Sequence, residues 1–434
     1  MAGQTAKHLS LAYGAGTQHA AHPDNWNITT LRADPFTTGR PEPFLVEEAL
    51  RHPVGATPLE EWTAAGDRIL ILVSDKTRRC RTHVFLPRLL ARLEQAGVPD
   101  AQIRILFATG THPPQTEREQ RDILGDDVFA RYAVFEHHAR DEERCVHVGT
   151  TAAGTDIHIN RLVVESDRVI ATGTIVHHYF AGYGGGAKLF VPGVAAYSTA
   201  VANHRRTITP DGGFHPGCED GRIEGNPVIT DIHDAQRFMP PAWYFAAILN
   251  VEGRIAECVC GDLAEAHARG CVVIDNHYRP AFDMPADLVV VSAGGYPRDI
   301  NFIQSHKSLH HAHYAVKEGG CIVLLAECRE GLGSESFRRW FEYPSREAFR
   351  HALLNDYSMN AHTALAVLEK SDRFRIIIVS ALDDDTVRLM GMEPAPDLTH
   401  ALRLAADRMP SDPGVTILEN GGLIVPRRRY GDGT

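Results

Sequence analysis

Apolar and polar positions fall in blocks along this chain rather than alternating residue by residue. The first clear block is Arg68–Ser74, Arg-Ile-Leu-Ile-Leu-Val-Ser. A short apolar run with polar flanks predicts a strand buried on both faces. Leu86, Leu89, Leu90 and Leu93 then recur at helical spacing and predict a helix over Thr82–Gly97. Gln102–Ala108 and Arg168–Thr172 are further apolar strands, and Tyr197–Arg206, Pro227–Arg237 and Leu263–Gly270 carry helical patterns. The first 60 or so residues show no clear period and read as loop-rich.

A second unit opens near Pro285. It runs as strand Ala286–Ala293, helix Phe302–Glu318 closed by Gly319-Gly320, and strand Cys321–Ala326. Helices Ser345–Asn355 and Ala361–Ser371, strand Phe374–Ser380, helix Asp397–Met409 and strand Gly414–Leu418 follow. Hairpin signals are few. Strand–helix–strand order implies parallel sheets with right-handed crossovers. The expected fold class is therefore α/β, with two domains of mainly parallel sheet and an active site in the cleft between them. The expected boundaries are 1–282 and 283–414, with the segment 415–434 packing back on the first domain. Ligands in open parallel sheets bind beyond the carboxyl ends of strands.

Composition narrows the classes. A length of 434 residues and a 44% hydrophobic content leave ample material for a core. A net charge of -11 argues against nucleic acid and an anionic membrane surface as partners. No run of eighteen apolar residues predicts a membrane span, and Met1–His8 lacks the basic and apolar blocks of a signal peptide. The eight cysteines are scattered, so a reducing cytoplasm is expected. Cys258-x-Cys260 has no second pair nearby to complete a zinc site. The 24 histidines are the unusual feature, because histidine is both a common metal ligand and the neutral-pH acid/base.

Several segments carry candidate chemistry. Asp75-Lys-Thr-Arg78 follows the first strand, where an acid with two bases suits a carboxylate or phosphate, or a solvated turn. Ala108-Thr-Gly-Thr-His112-Pro-Pro holds one imidazole in a stiff loop, as general acid/base work requires, or is a plain loop. His177-His178 lead into Gly-Tyr-Gly184-Gly185-Gly186-Ala-Lys188, four glycines within five residues. Such a run signals a close backbone approach, and the lysine after it suits an anion or a covalent attachment. The phosphate-loop pattern fails, because Ala187 and Leu189 stand at its second Gly and Ser/Thr positions. A flexible surface turn is the plainer alternative. Gln304 and Lys307, three apart on a predicted helix, share a face that suits a carboxylate. The surrounding His306, His310, His311 and His313 read mostly as a solvated or inter-domain face. His204 alone reads as a surface residue, and Gly225-Asn-Pro227 as a turn into a helix.

Taken together, these segments resemble the lactate racemase family, the nickel-pincer nucleotide enzymes. The resemblance rests on Asp75-x-Thr-Arg78, Gly110-Thr-His112, His177-His178 with Gly-x-Gly-Gly-Gly-Ala-Lys188-x-x-x-Pro-Gly, His204, Gly225-Asn-Pro and Gly295-Tyr-Pro-x-Asp299-x-x-x-x-Gln304-x-x-Lys307. It implies a racemase or epimerase that inverts C2 of a 2-hydroxy acid by removing and returning a hydride. The implied cofactor is a nickel-bearing pyridinium mononucleotide with two sulfur arms, joined to Lys188 and made by dedicated cofactor-building enzymes. By the same resemblance, His204 is the protein ligand of nickel, and His112 and His178 are the paired acid/base groups. Asp75 with Gly184, Gly185 and Gly186 belongs to the cofactor site. Arg78, Gln304 and Lys307 bind the substrate anion. Ile303 stands where family members acting on lactate carry tyrosine, and Tyr357–His362 lacks their tryptophan, which implies a larger or more polar hydroxy acid. On the residues alone, a zinc-dependent hydrolase or lyase and a non-catalytic carboxylate-binding protein remain open.

Overall fold

The computed structural model describes residues 8–78 and 80–429. The leader reading of residues 1–7 and the last five residues of the segment 415–434 lie outside them. The chain divides into two units, one of residues 35–207 and 216–276, the other of residues 1–34, 208–215 and 277–434.

The first of these is built on a six-stranded sheet. Its spatial order is Ile255–Asp262, Ala242–Leu249, Arg168–Gly173, Ile69–Ser74, Ile103–Ala108 and Ala133–Glu136. All six positions of Ile69–Ser74 are buried, as its unbroken apolar run requires of a central strand. Helix Thr82–Gln95 lays Phe85, Leu86, Leu89, Leu90 and Leu93 on the sheet, one apolar stripe at 3.6-residue spacing. Each such side chain contributes about 1.5–3 kcal/mol when fully buried.

Five strands run parallel; the sixth, Ile255–Asp262, returns antiparallel from Ala242–Leu249. That hairpin was not visible in the sequence pattern, because Ala242–Leu249 is a continuous apolar run and Ile255–Asp262 shows no strict alternation. Its turn also closes through Asn250 and Gly253, not through a two-residue Asn-Gly signal. Helix Leu263–Tyr278 runs eight residues beyond the expected stop at Gly270. Gly270 is not a cap: a Cβ there would collide with Ile175, so the glycine is a packing choice.

The second unit carries a six-stranded, wholly parallel sheet ordered Glu393–Ala395, Arg375–Val379, Val316–Leu325, Ala286–Ser292, Gly414–Leu418 and Asn27–Leu31. The early region read as loop-rich thus supplies an edge strand, Asn27–Leu31. It also forms a hairpin, His8–Tyr13 with Gly16–Ala21. The edge strand buries only Leu31 fully, so it leaves no apolar run to read. Helix Phe302–Ala312 is shorter than expected, because Val316–Glu318 already belong to a strand. The pair Gly319-Gly320 sits inside that strand, where its register against Ala286–Ser292 shifts, and does not end a helix. Both sheets are mainly parallel with helices between, the α/β class that the alternation predicts. No helix of the described residues is long and apolar enough to cross a membrane.

Candidate functional site

Three neighbouring strands of the first sheet deliver the predicted residues to one edge. Ile69–Ser74 ends at Asp75, Ile103–Ala108 leads to His112, and Arg168–Gly173 leads to His177 and His178. Asp75 is buried, and His112 is partly exposed. The His112 ring donates from Nδ1 to Asp75 Oδ2 at 2.6 Å. Asp75 Oδ1 accepts from the Thr77 amide at 2.8 Å and its hydroxyl at 2.6 Å. Burial pushes the Asp75 carboxyl up. The His112 hydrogen bond and charge, the Arg78 charge and Thr77 outweigh it and hold the group at about 2. A permanent carboxylate on Nδ1–H fixes the tautomer that leaves the His112 Nε2 lone pair available as a base.

Around Lys188, one aromatic ring organises the site. Phe180 is 3% exposed. Its ring lies 4.4 Å from His178 and 4.9 Å from His204, both edge-on, and the Lys188 ammonium sits 5.0 Å from its centroid. Three predicted residues separated by up to 26 positions therefore meet at one side chain that sequence reasoning did not single out. The adjacent His177 is set apart from them. Asp275 accepts from His177 Nε2 at 2.9 Å and from the Tyr183 hydroxyl at 2.8 Å, so His177 braces the loop.

The glycine run is explained mainly from within the protein. Gly185 and Gly186 both have positive φ. A Cβ on Gly185 would stand 2.6 Å from the Thr174 carbonyl and the Tyr244 hydroxyl; one on Gly186 would stand 2.7 Å from the His267 ring. His267 Nε2 in turn donates to the Gly184 carbonyl at 3.0 Å. The close approach that the glycines permit is thus to Tyr244 and His267, and Lys188 follows in a short 3-10 turn, Gly186–Leu189. The Gly110 amide donates to the Gly193 carbonyl at 2.8 Å and ties the His112 loop to the Lys188 loop. Substituting Gly186 with alanine is expected to destabilise the protein by about 2–4 kcal/mol, from backbone strain plus overpacking on His267. Denaturant unfolding of the variant checks this, and a change below about 0.5 kcal/mol would contradict the packing.

His204 ends helix Tyr197–His204 and is buried, not a surface residue. Its neighbour Asn203 donates to Asp231 at 2.9 Å, and Asp231 also accepts from Thr151 at 2.6 Å, Thr155 at 2.8 Å and Arg206 at 3.0 Å. Asn226 has a second task beyond its turn. Its side-chain oxygen caps helix Pro227–Ala235 by accepting from Val228 and Ile229, and its amide donates to the Phe180 carbonyl at 2.9 Å. Neither Asp231 nor the Asn226–Phe180 link has a sequence signal, since both are tertiary contacts.

In the second unit, Gln304 and Lys307 do share a face of helix Phe302–Ala312. Lys307 Nζ donates to Gln304 Oε1 at 3.3 Å. The nearby histidines correct the sequence reading, because His306, His310 and His311 are buried, not a solvated face. Burial pushes the His306 imidazole down to about 3, and the Lys370 charge adds to the effect. Helical spacing cannot reveal this, because histidine is polar in the pattern yet tolerates burial when neutral.

Two further buried imidazoles set the acid limit of the first unit. His137, donating to Ala195, and His267 are each pushed down to about 4, first by desolvation. Their folded pKa lies below the unfolded value near 6.5, so their contribution is complete above that value and lost as pH falls through about 4. Each is expected to cost about 3 kcal/mol by pH 4. Equilibrium unfolding between pH 7 and 4 measures it; a flat profile would overturn it. Among the described residues, no group of three or more His, Cys, Asp or Glu is arranged to hold a metal ion. Cys258 and Cys260 are thiols pushed up by burial, Cys260 to about 12.

Comparison with known proteins is consistent along the whole chain. Residues 13–213 match the lactate racemase N-terminal domain, and residues 282–425 the lactate racemase C-terminal domain. A lactate racemase of Thermoanaerobacterium thermosaccharolyticum is 29% identical over 429 residues, 97% of this chain and 99% of the relative. One from Lactiplantibacillus plantarum is 33% identical over 388 residues, 88% of this chain and 90% of the relative. The solved lactate racemase apoprotein of T. thermosaccharolyticum superposes with a TM-score of 0.89 at 28% identity, covering 97% of this chain and all of that one. A Thermotoga maritima protein at 17% identity and a TM-score of 0.64 shares the fold. These matches define an isomerase of the racemase class. The chain belongs to the lactate racemase family.

Proposed function

We propose that this racemase inverts C2 of a 2-hydroxy acid with a nickel-pincer nucleotide held by Lys188 and His204. The observation that carries the reading is the meeting of Lys188, His204 and His178 at Phe180. The donor set fits such a group. A zinc site built from protein needs three or four donors. Here two imidazoles, one of them assigned to acid/base work, stand with one amine, which suits a metal that arrives with most of its own donors. Lys188 would supply the amine for covalent attachment, and His204 an imidazole donor to the nickel. When bound, the group supplies the two-electron exchange at C2, which no side chain here can perform.

The chain's own residues do the rest. His112, oriented by Asp75, takes the proton of the substrate hydroxyl at Nε2. His178 does the same for the other enantiomer, so each histidine serves as base in one direction and acid in the other. Gln304 and Lys307 bind the substrate carboxylate, with Arg78 as a further cation. The two relatives named lactate racemase support a small hydroxy acid. Ile303 and the Tyr357–His362 segment favour one larger or more polar than lactate.

Intact-mass measurement tests the attachment. Protein made together with the cofactor-building enzymes should carry an adduct that Lys188→Ala abolishes. Full racemase activity with an unmodified Lys188 would overturn the proposal. Loss of optical purity across a panel of 2-hydroxy acids then identifies the substrate.

A further inference from the structure

The His112 loop is gripped at both ends by one neighbouring strand end. At its start, the Thr109 hydroxyl donates to the His137 carbonyl at 2.6 Å. At its far end lies Gln115, buried against Glu136. With its amide nitrogen toward the carboxylate, the orientation that satisfies both of its side-chain atoms, Gln115 donates to the two Glu136 oxygens at 2.7 and 3.0 Å. Gln120 donates to Glu136 Oε1 at 2.9 Å. Glu136 pairs in register with Phe107, so it stands at the carboxyl edge of the sheet, one strand beyond His112 and two beyond Asp75. At the end of a short, half-exposed edge strand, the partly buried Glu136 carboxylate is costly to desolvate without these donors.

We propose that Glu136 is a positioning residue for catalysis: its carboxylate clamps Gln115 and thereby holds the Thr109–Gln115 loop so that His112 stays on Asp75. The proposal rests on the reading of His112 as an acid/base group. Glu136 touches neither the ring nor the site of reaction; it acts through the loop. The groups facing it are Gln115 and Gln120 as donors, Asp75 as a like charge and Lys76 as an opposite one. Lys76 is itself engaged by Glu119, at 2.8 Å.

The clamp has a second consequence. Burial lifts the Glu136 carboxyl to about 7, and the Asp75 charge adds to this, against the Gln120 side chain, the Gln115 backbone N–H and Lys76. Protonation removes one acceptor from a group surrounded by donors. The clamp therefore weakens as pH falls through the Glu136 range, and turnover falls with it.

Glu136→Gln copies the protonated form with little change in volume. In cofactor-loaded enzyme we expect kcat to fall by about 10- to 100-fold with KM nearly unchanged, the scale of a small misplacement of a catalytic group. Unloaded protein gives an independent reading by NMR titration, with the His112 signals assigned by comparison with His112→Gln. In the parent protein those signals should show a second, smaller step below about pH 7, which Glu136→Gln removes. Wild-type kcat together with an unaltered His112 titration in Glu136→Gln would overturn the proposal. His112→Gln separates the two levels of failure. If it retains turnover, the acid/base reading itself fails; if it is inactive while Glu136→Gln is fully active, only the clamp fails. Should Glu136→Gln fold poorly, Gln115→Ala removes the same clamp from the other side, and retention of wild-type kcat and titration there would equally overturn it.

Discussion

Replacing Asp75 with asparagine is expected to lower kcat by about a thousand- to ten-thousand-fold while the protein remains folded. The carboxylate accepts from His112 Nδ1 at 2.6 Å and from Thr77 twice. An amide in that place presents an NH2 group to the imidazole. The ring then accepts at Nδ1 and carries its proton on Nε2, where the substrate hydroxyl needs a base. The substitution is nearly isosteric, and Asp75 is held at about 2, so it is a carboxylate at every working pH. The effect is thus one of tautomer and charge, not of a shifted titration. Steady-state kinetics in both directions read it. A loss of less than about tenfold would mean that His112 is not the base, or that Asp75 does not orient it.

The second large effect is expected far from any substrate. Asp231→Ala should cost about 3–5 kcal/mol in unfolding free energy, the scale of breaking a buried ion pair from one side. The Asp231 side chain is 1% exposed and the Arg206 side chain 23%. Without the carboxylate, Arg206, Asn203 and two threonine hydroxyls lose their common acceptor together. Asn203 sits directly before His204, so the loss should also weaken placement of the proposed nickel ligand. Urea unfolding measures the first consequence, and nickel retention by the loaded enzyme the second. Asp231→Asn keeps part of the hydrogen bonding and should fall between. A cost below about 1 kcal/mol for the alanine variant would show that Asp231 does not hold these donors together.

How much of this was legible depends on how far each residue acts from its own segment. Buried parallel strands announce themselves as apolar runs, so Asp75, His112 and His178 could be placed at strand ends from sequence. Lys188 was marked by its glycine run, although the run serves Tyr244 and His267 more directly than an external ligand. Phe180, Asp231, Asp275 and the link from Asn226 to Phe180 were invisible, because each works through a tertiary contact and none breaks a local pattern. The burial of His204 and His306 escaped for a related reason: the apolar period counts histidine as polar, while a neutral imidazole packs well. Edge strands such as Asn27–Leu31, with one fully buried position, leave almost no pattern to find.

That edge strand has a consequence for how the molecule is made. It pairs with Gly414–Leu418, which leaves the ribosome nearly 400 residues later. At about 5–20 residues per second, this early strand waits some 20–80 s for its neighbour. Residues 35–207 and 216–276 can meanwhile complete their own sheet from strands already synthesised. The strand Asn27–Leu31 is therefore among the last to be paired. During that interval an unpaired β-edge is open to chaperones or to the wrong strand.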